Sequence, residues 1–245
     1  MSTEDGLRTV ALVGACAAFV VVPNVGSDER TERYDTVITP PDYAFAVWAP
    51  IFAGCVLSTV GQALPGGQAV SRATGWPLAG AYALNAAWSL AAQTDRFAAT
   101  PVLLPVAAGL ALVAHARQQG LPAARGLAGV TPVSTGLLAG WTTLASVVNV
   151  AAGANLAGAS AGSPRTVARS AAALVAVSGA VAVGVATSRR GALSLAAAAG
   201  WGLITLALTP GRPRSVRWSA AAGASAVGMG ALVARRRRPV SAFAA

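Results

Sequence analysis

The chain contains no lysine: all 18 of its basic residues are arginine. Acidic residues are scarcer still. There are eight, namely Glu4, Asp5, Asp28, Glu29, Glu32, Asp35, Asp42 and Asp95, and none follows Asp95. Charged residues make up only 11% of the 245, where a soluble domain carries about 25%. No carboxylate falls inside an apolar block, whereas ion-coupled transporters usually place carboxylates within the membrane. Cysteine is limited to Cys16 and Cys55, both in apolar segments, which excludes a disulfide framework and suggests no metal site. The VGAC stretch at 13–16 does not make a lipoprotein signal. The apolar run before it is short, and Glu4 and Asp5 stand where a basic region belongs. There is no alternating ten-residue pattern of the kind an outer-membrane barrel requires. The net charge of +10 does not point to nucleic acid, because the arginines lie between apolar blocks and not on one soluble face. They read as topology signals and lipid-headgroup contacts.

What the chain has in quantity is apolar length. Hydrophobic residues make up 55% and the mean hydropathy is +0.59. The apolar blocks run to roughly 16–22 residues, enough to span a bilayer as helices. The expected fold is an all-α integral membrane protein with eight spans, near 7–25, 43–64, 75–93, 97–116, 129–152, 166–187, 191–209 and 216–234. The longest polar connection is GSDERTERYDTVITPPD, residues 26–42. Eight spans put both termini on one side, with ten arginines there and eight opposite. This bias, with the RRRR run at 235–238, places the termini in the cytoplasm. The run could instead contact anionic phospholipid. An arginine- and alanine-rich, lysine-free composition fits a GC-rich bacterial source and a plasma-membrane location.

Three segments carry marked faces. Pro40-Pro41 precedes the second span, where proline suits a first helical turn. Phe45, Trp48 and Phe52 follow at i, i+3 and i+7 on one face, and Tyr43 reads as interfacial. Pro50, inside this span, is expected to free the carbonyl near 46 and to kink the helix. In the third span Asn85, Trp88 and Ser89 share a face. An interhelical hydrogen bond is the first expectation for Asn85, and a pocket role the second. In the fifth span Trp141, Ala145 and Asn149 form a stripe four residues apart. An aromatic, a small residue and an amide make a notch with a polar end, suited either to helix packing or to a flat apolar ligand. The last three spans are Ala/Val/Gly/Ser runs. Their small residues, such as Ser219/Gly223 and Ala224/Gly228, read as packing.

Taken together, these segments resemble the TspO/MBR family, which comprises the translocator protein (peripheral benzodiazepine receptor) and the tryptophan-rich sensory proteins. The resemblance rests on Pro40, Pro41, Phe45 and Trp48, on Leu84-Asn85 with Trp88-Ser89, and on Trp141, Ala145 and Asn149, over roughly residues 5–156. It departs from the family where LLAG, residues 137–140, replaces a Pro-Tyr pair, and where the Gln before the third-helix Asn is absent. The resemblance implies a five-helix bundle over 1–156, extended by about three transmembrane helices over 157–234 and a basic tail at 235–245. It also implies an intramembrane pocket for a tetrapyrrole, such as protoporphyrin IX or haem, or for a sterol-like lipid. Phe45, Trp48, Phe52, Asn85, Trp88, Trp141, Ala145 and Asn149 are the candidate ligand-binding residues, and 26–42 is the candidate lid. Arg30 and Arg33 in that lid pair more readily with Asp28, Glu29, Glu32 or Asp35 than with a ligand's propionates.

No catalytic residue, metal site or required cofactor is expected, although the family resemblance leaves porphyrin photodegradation open. His115, at the end of span four, reads as interfacial and not as an axial haem ligand. The leading function is a membrane receptor or regulator, with lipids and a hydrophobic small molecule as partners, no nucleic acid, and room for a homodimer. The alternatives are a permease for a small apolar molecule and a structural partner within a membrane complex.

Overall fold

The computed structural model of the chain describes residues 2–25, 35–94 and 96–237. Arg30, Arg33, most of the candidate lid, Asp95 and Arg238 lie outside these residues. Eight α-helices run through the described chain, joined by short loops and 3₁₀ turns, and no strand occurs there. They are α1 (Thr3–Val25), α2 (Trp48–Ala63), α3 (Gln68–Gln93), α4 (Thr100–Arg117), α5 (Thr131–Leu156), α6 (Pro164–Thr187), α7 (Ala192–Leu208) and α8 (Arg214–Arg236). Five segments are long and apolar enough to cross a membrane: α1, α2 with its leading turn, α4 and α5 with their flanking turns, and α6. The other three fall short for different reasons. α7 has only 17 residues, α8 carries arginines at both ends, and α3 has polar residues along its whole length, among them Gln68, Arg72, Asn85 and Gln93.

The polar start of α3 departs from the expected boundary. The helix begins at Gln68, about two turns before 75, because Arg72 is helical and not a loop charge. Its Nε and Nη2 donate to Asp5 at 3.0 and 2.8 Å. Asp5 also pairs with Arg8, whose Nε donates to Ser71 Oγ at 3.1 Å. Asp5 is 4% exposed and Arg8 is 3% exposed. The sequence reading kept every carboxylate outside the apolar blocks, yet this one is buried in the first turn of α1. Two arginines compensate its charge, as a buried carboxylate requires.

The first five helices close into a ring. α1 packs on α3, α3 on α4, α4 on α5, α5 on α2, and α2 on α1. The last three form a second layer in which α6 packs on α8, α8 on α7, and α7 on α5. One apolar core runs through both, from Leu12 and Phe19 in α1 to Val227 in α8.

Small residues set the closest approaches. On α5, a Cβ added at Gly140 would lie 2.5 Å from Leu195 O and 3.2 Å from Ala198 Cβ, and one at Gly136 would run into Ser194 Oγ. The two glycines are four apart on one face, the spacing that admits a neighbouring backbone. The LLAG departure at 137–140 therefore ends where α7 docks. Between α6 and α8 the contact row is Gly223 against Ser178 and Gly230 against Ala182. The expected Ala224/Gly228 pair is not the seam, because Gly228 faces nothing within 4 Å.

His115 is 5% exposed, not interfacial in the sense of facing solvent or headgroups. Its Nδ1 lies 3.1 Å from Thr135 Oγ1 and its Nε2 lies 3.0 Å from Ser188 Oγ, joining α4, α5 and the end of α6. Gln119 reinforces the junction: its Oε1 accepts from the backbone N–H groups of Arg189 and Arg190 at 2.8 and 2.9 Å.

Candidate functional site

The proline pair enters the second helix differently from expectation. Pro41 is extended, residues Asp42–Val47 form a 3₁₀ turn, and the α-helix begins only at Trp48. Pro50 thus falls in the first α-helical turn, where a missing N–H has no intrahelical partner to lose. The Ala46 carbonyl, expected to be freed, accepts from the Trp48 N–H.

This entry places three aromatics in succession against α1 and α5. Trp48 and Phe52 stack with centroids 5.5 Å apart at 17°. Trp141 meets Trp48 edge-on at 6.1 Å and 80°, and meets Phe45 at 5.7 Å and 83°. Phe19 of α1 completes the cluster. It lies edge-on to Trp48 at 5.8 Å and to Phe52 at 5.0 Å, and stacks on Tyr82 at 5.4 Å. Offset-stacked and edge-to-face arrangements of this kind hold aromatic rings in fixed orientations.

Two neighbouring cavities open from the cluster. The larger, of about 550 Å³, is lined by Phe45, Trp48, Trp88, Trp141, Ala145 and Asn149 among others. The smaller, of about 440 Å³, is lined by Phe19, Pro23, Asn24, Phe52, Asn85 and Ser89. Asp42, Phe45, Trp48 and Trp88 line both. All eight residues singled out from sequence therefore border one or other cavity, but they do not form a single wall. Phe52 and Asn85 belong to the smaller one.

The two amides have roles that their spacing did not reveal. Asn149 Oδ1 accepts from Trp88 Nε1 at 2.8 Å, and its Nδ2 donates to Ala145 O at 3.0 Å. It is the interhelical bridge, and it fixes the indole of Trp88. Asn85, expected to bridge helices, instead donates back to Ala81 O on its own helix at 2.8 Å. Its Oδ1 is buried without a hydrogen-bond partner.

The C-terminal layer, read from sequence as packing alone, also borders the larger cavity. Leu174 of α6, Gly202, Leu203 and Leu206 of α7, and Arg212 of the following loop line it. Gly202 lets α7 approach the aromatic wall, since a Cβ there would lie 3.2 Å from Trp141 Cζ3. Next to it, Trp201 Nε1 donates to Ala44 O at 2.8 Å, and the exposed Tyr43 ring meets Trp201 edge-on. Arg212 grips the segment before α2. Its Nη1 and Nη2 donate to Asp35 at 2.9 and 2.7 Å, and Nη2 also donates to Thr39 O at 3.0 Å. Trp201, the lone aromatic of α7, was a sequence signal that this layer does more than pack. The signal for Phe19 was similar, as it is the only aromatic of α1.

Family comparison agrees with this geometry. A family described as TSPO-like protein matches residues 7–233, from α1 into α8. No curated protein matches the chain, and no solved structure does. The match includes the three C-terminal helices together with the aromatic ring of five. The apolar helices and this match make the chain a multi-pass membrane protein, and it belongs to the TSPO-like family.

Proposed function

We propose that this protein is a membrane receptor or regulator that holds a flat apolar ligand in the larger cavity. A tetrapyrrole such as protoporphyrin IX or haem comes first, and a lipid or sterol-like molecule second. The observation that carries the reading is the wall formed by Phe45, Trp48, Trp88 and Trp141 around about 550 Å³. Ligand sites are typically concavities of roughly 300–1,000 Å³ with mostly apolar, aromatic walls and a few polar groups. Rings already held edge-on and stacked offer a rigid surface to a planar partner, which keeps the ordering cost of binding small. In this reading all eight helices cross the plasma membrane of a bacterial cell, with both termini cytoplasmic.

The test is a titration of the full chain in detergent with protoporphyrin IX, following tryptophan quenching. Saturable binding is expected. The Trp141→Phe/Asn149→Ala double variant should weaken it by about tenfold or more, through the lost indole and the released Trp88. Equal binding by the variant would place the ligand elsewhere, and absence of saturable binding would remove the tetrapyrrole from the reading.

A further inference from the structure

Several connections meet at the end of the bundle opposite the α7–α8 loop, and arginines tie them together. Arg8 Nε donates to Ser71 Oγ, Arg117 Nη1 to Ala73 O at 3.4 Å, and Arg237 Nη1 to Ala186 O at 3.3 Å. The starts of α1 and α3 and the ends of α4, α6 and α8 therefore share this end. Its charge is almost all of one sign. The carboxylates here are Glu4 and Asp5, and Asp5 is already held by Arg8 and Arg72. Arg117, Arg125, Arg189, Arg190 and the Arg235–Arg237 run stand against them, and no acidic residue follows Asp95 in the chain.

Within this end lies a cavity of about 410 Å³, between the α4–α5 and α6–α7 connections. Leu121, Pro122, Ala128 and Pro132 give it an apolar wall, and among the described residues its only charged neighbours are Arg189 and Arg190. The turn that carries this pair is held at several points. Gln119 Oε1 accepts from both arginine N–H groups, and Gln119 Nε2 donates to Arg190 O at 3.1 Å. Ser188 Oγ lies 3.0 Å from His115 Nε2. Gly191 follows at φ +68°, and a Cβ there would run into Pro132 O, so the turn sits directly on the start of α5. The bonds of Arg190 are made by its backbone, and its half-buried side chain has no hydrogen-bond or ion-pair partner among the described residues.

The geometry points to this cavity as a binding site for an anionic phospholipid. The lipid phosphate pairs with the Arg190 guanidinium, whose fork suits phosphate oxygens, with Arg189 beside it. The glycerol and the first carbons of the chains lie against Leu121, Pro122 and Pro132. The clamped backbone lowers the cost of ordering the arginine pair. A small water-soluble phosphate would use the cation but not the apolar wall, so the wall selects the lipid. The surplus of arginine around the site favours a lipid of net negative charge over a zwitterionic one. The site lies at the other end of the bundle from the aromatic cavities and is independent of what they hold.

The experiment measures lipid binding to the purified full chain in a nonionic detergent by native mass spectrometry. The probes are phosphatidylglycerol and phosphatidylcholine with the same acyl chains, with inorganic phosphate as a competitor. Saturable binding of phosphatidylglycerol is expected, about fivefold or more tighter than of phosphatidylcholine. Arg190→Gln should remove most of that preference by weakening phosphatidylglycerol alone, while Arg190→Lys should retain part of it. Arg165→Gln, at the opposite end, should leave it unchanged. Unfolding temperatures in lipid-free detergent check that each variant is folded, and because the Arg190 variants keep the backbone bonds to Gln119, they should match the wild type. Equal binding of the two lipids by the wild type would overturn the proposal. Equal weakening by Arg190→Gln and Arg165→Gln would overturn it in favour of diffuse attraction. Displacement of the lipid by millimolar phosphate would make this a free-anion site and not a lipid site.

Discussion

Asn149 commits both ends of its amide to protein partners, so its contribution to any ligand passes through Trp88. Replacing it by Ala leaves the Trp88 N–H without its acceptor and should destabilise the protein by about 1 kcal/mol or more. The change should appear as a lower thermal unfolding temperature in detergent and as an altered tryptophan emission in the absence of ligand. Asn149→Asp keeps an acceptor for Trp88 but cannot donate to Ala145 O, so it should retain more of the native emission than Ala. At this scale the sequence was legible where spacing alone decides. Trp141, Ala145 and Asn149 share a face because four residues are close to one helical turn. It was not legible where a rotamer decides. Asn85 can reach across to a neighbour or back to Ala81 O, and nothing in the order of residues selects between them. Arg212 was out of reach for another reason, because its partner Asp35 lies 177 positions earlier.

Among the elements, α5 carries the most constraint. Its glycine row meets α7, its tryptophan meets the aromatic cluster, and its amide bridges to α3. A Cβ at Gly140 would sit 2.5 Å from a backbone carbonyl of α7, a contact that only a shift of one helix can relieve. Gly140→Ala should therefore cost about 1–3 kcal/mol, measured as a fall in unfolding temperature. The same change at Gly228, where nothing lies within 4 Å, should be close to neutral or slightly stabilising through better helix propensity. The contrast matters because sequence spacing alone favoured Gly228 as a packing residue. Helix count and order were legible, since apolar run length sets them. Helix ends were less so. Polar residues at the start of α3 look like loop until Arg72 is seen against Asp5, and the α2 start is displaced by a 3₁₀ turn after Pro41. Asp5→Asn removes the charge that compensates Arg8 and Arg72, and should lower the unfolding temperature more than Asp42→Asn, whose carboxylate is exposed.

For the whole molecule, the sequence suggested a residue-rich bundle and a plain extension, and the division holds for composition but not for the cavity. Leu174, Gly202, Leu203, Leu206 and Arg212 come from the second part and border the same space as Trp48 and Trp141. A chain ending at 156 would leave Gly136 and Gly140 facing lipid and the cavity open along one side. Such a truncation is expected to elute as aggregate on size exclusion in detergent, or to remain monodisperse but fail to quench with protoporphyrin IX. Topology is testable on the intact chain. With eight crossings, single cysteines placed before α1 and after α8, in a background lacking Cys16 and Cys55, should share the same labelling side in intact cells.

The clasp between Asp35 and Arg212 also fixes an order of events in biosynthesis. The aromatic wall is complete once α5 has left the ribosome, but its opposite side and its cation are made only when synthesis has passed residue 212. For the length of α6 and α7 the nascent protein would present tryptophan and phenylalanine faces to the lipid or to the insertion machinery, with no means of retaining a ligand. On the proposed reading, a chain that stops before the α7–α8 loop should lack part of the cavity wall and fail to retain the ligand.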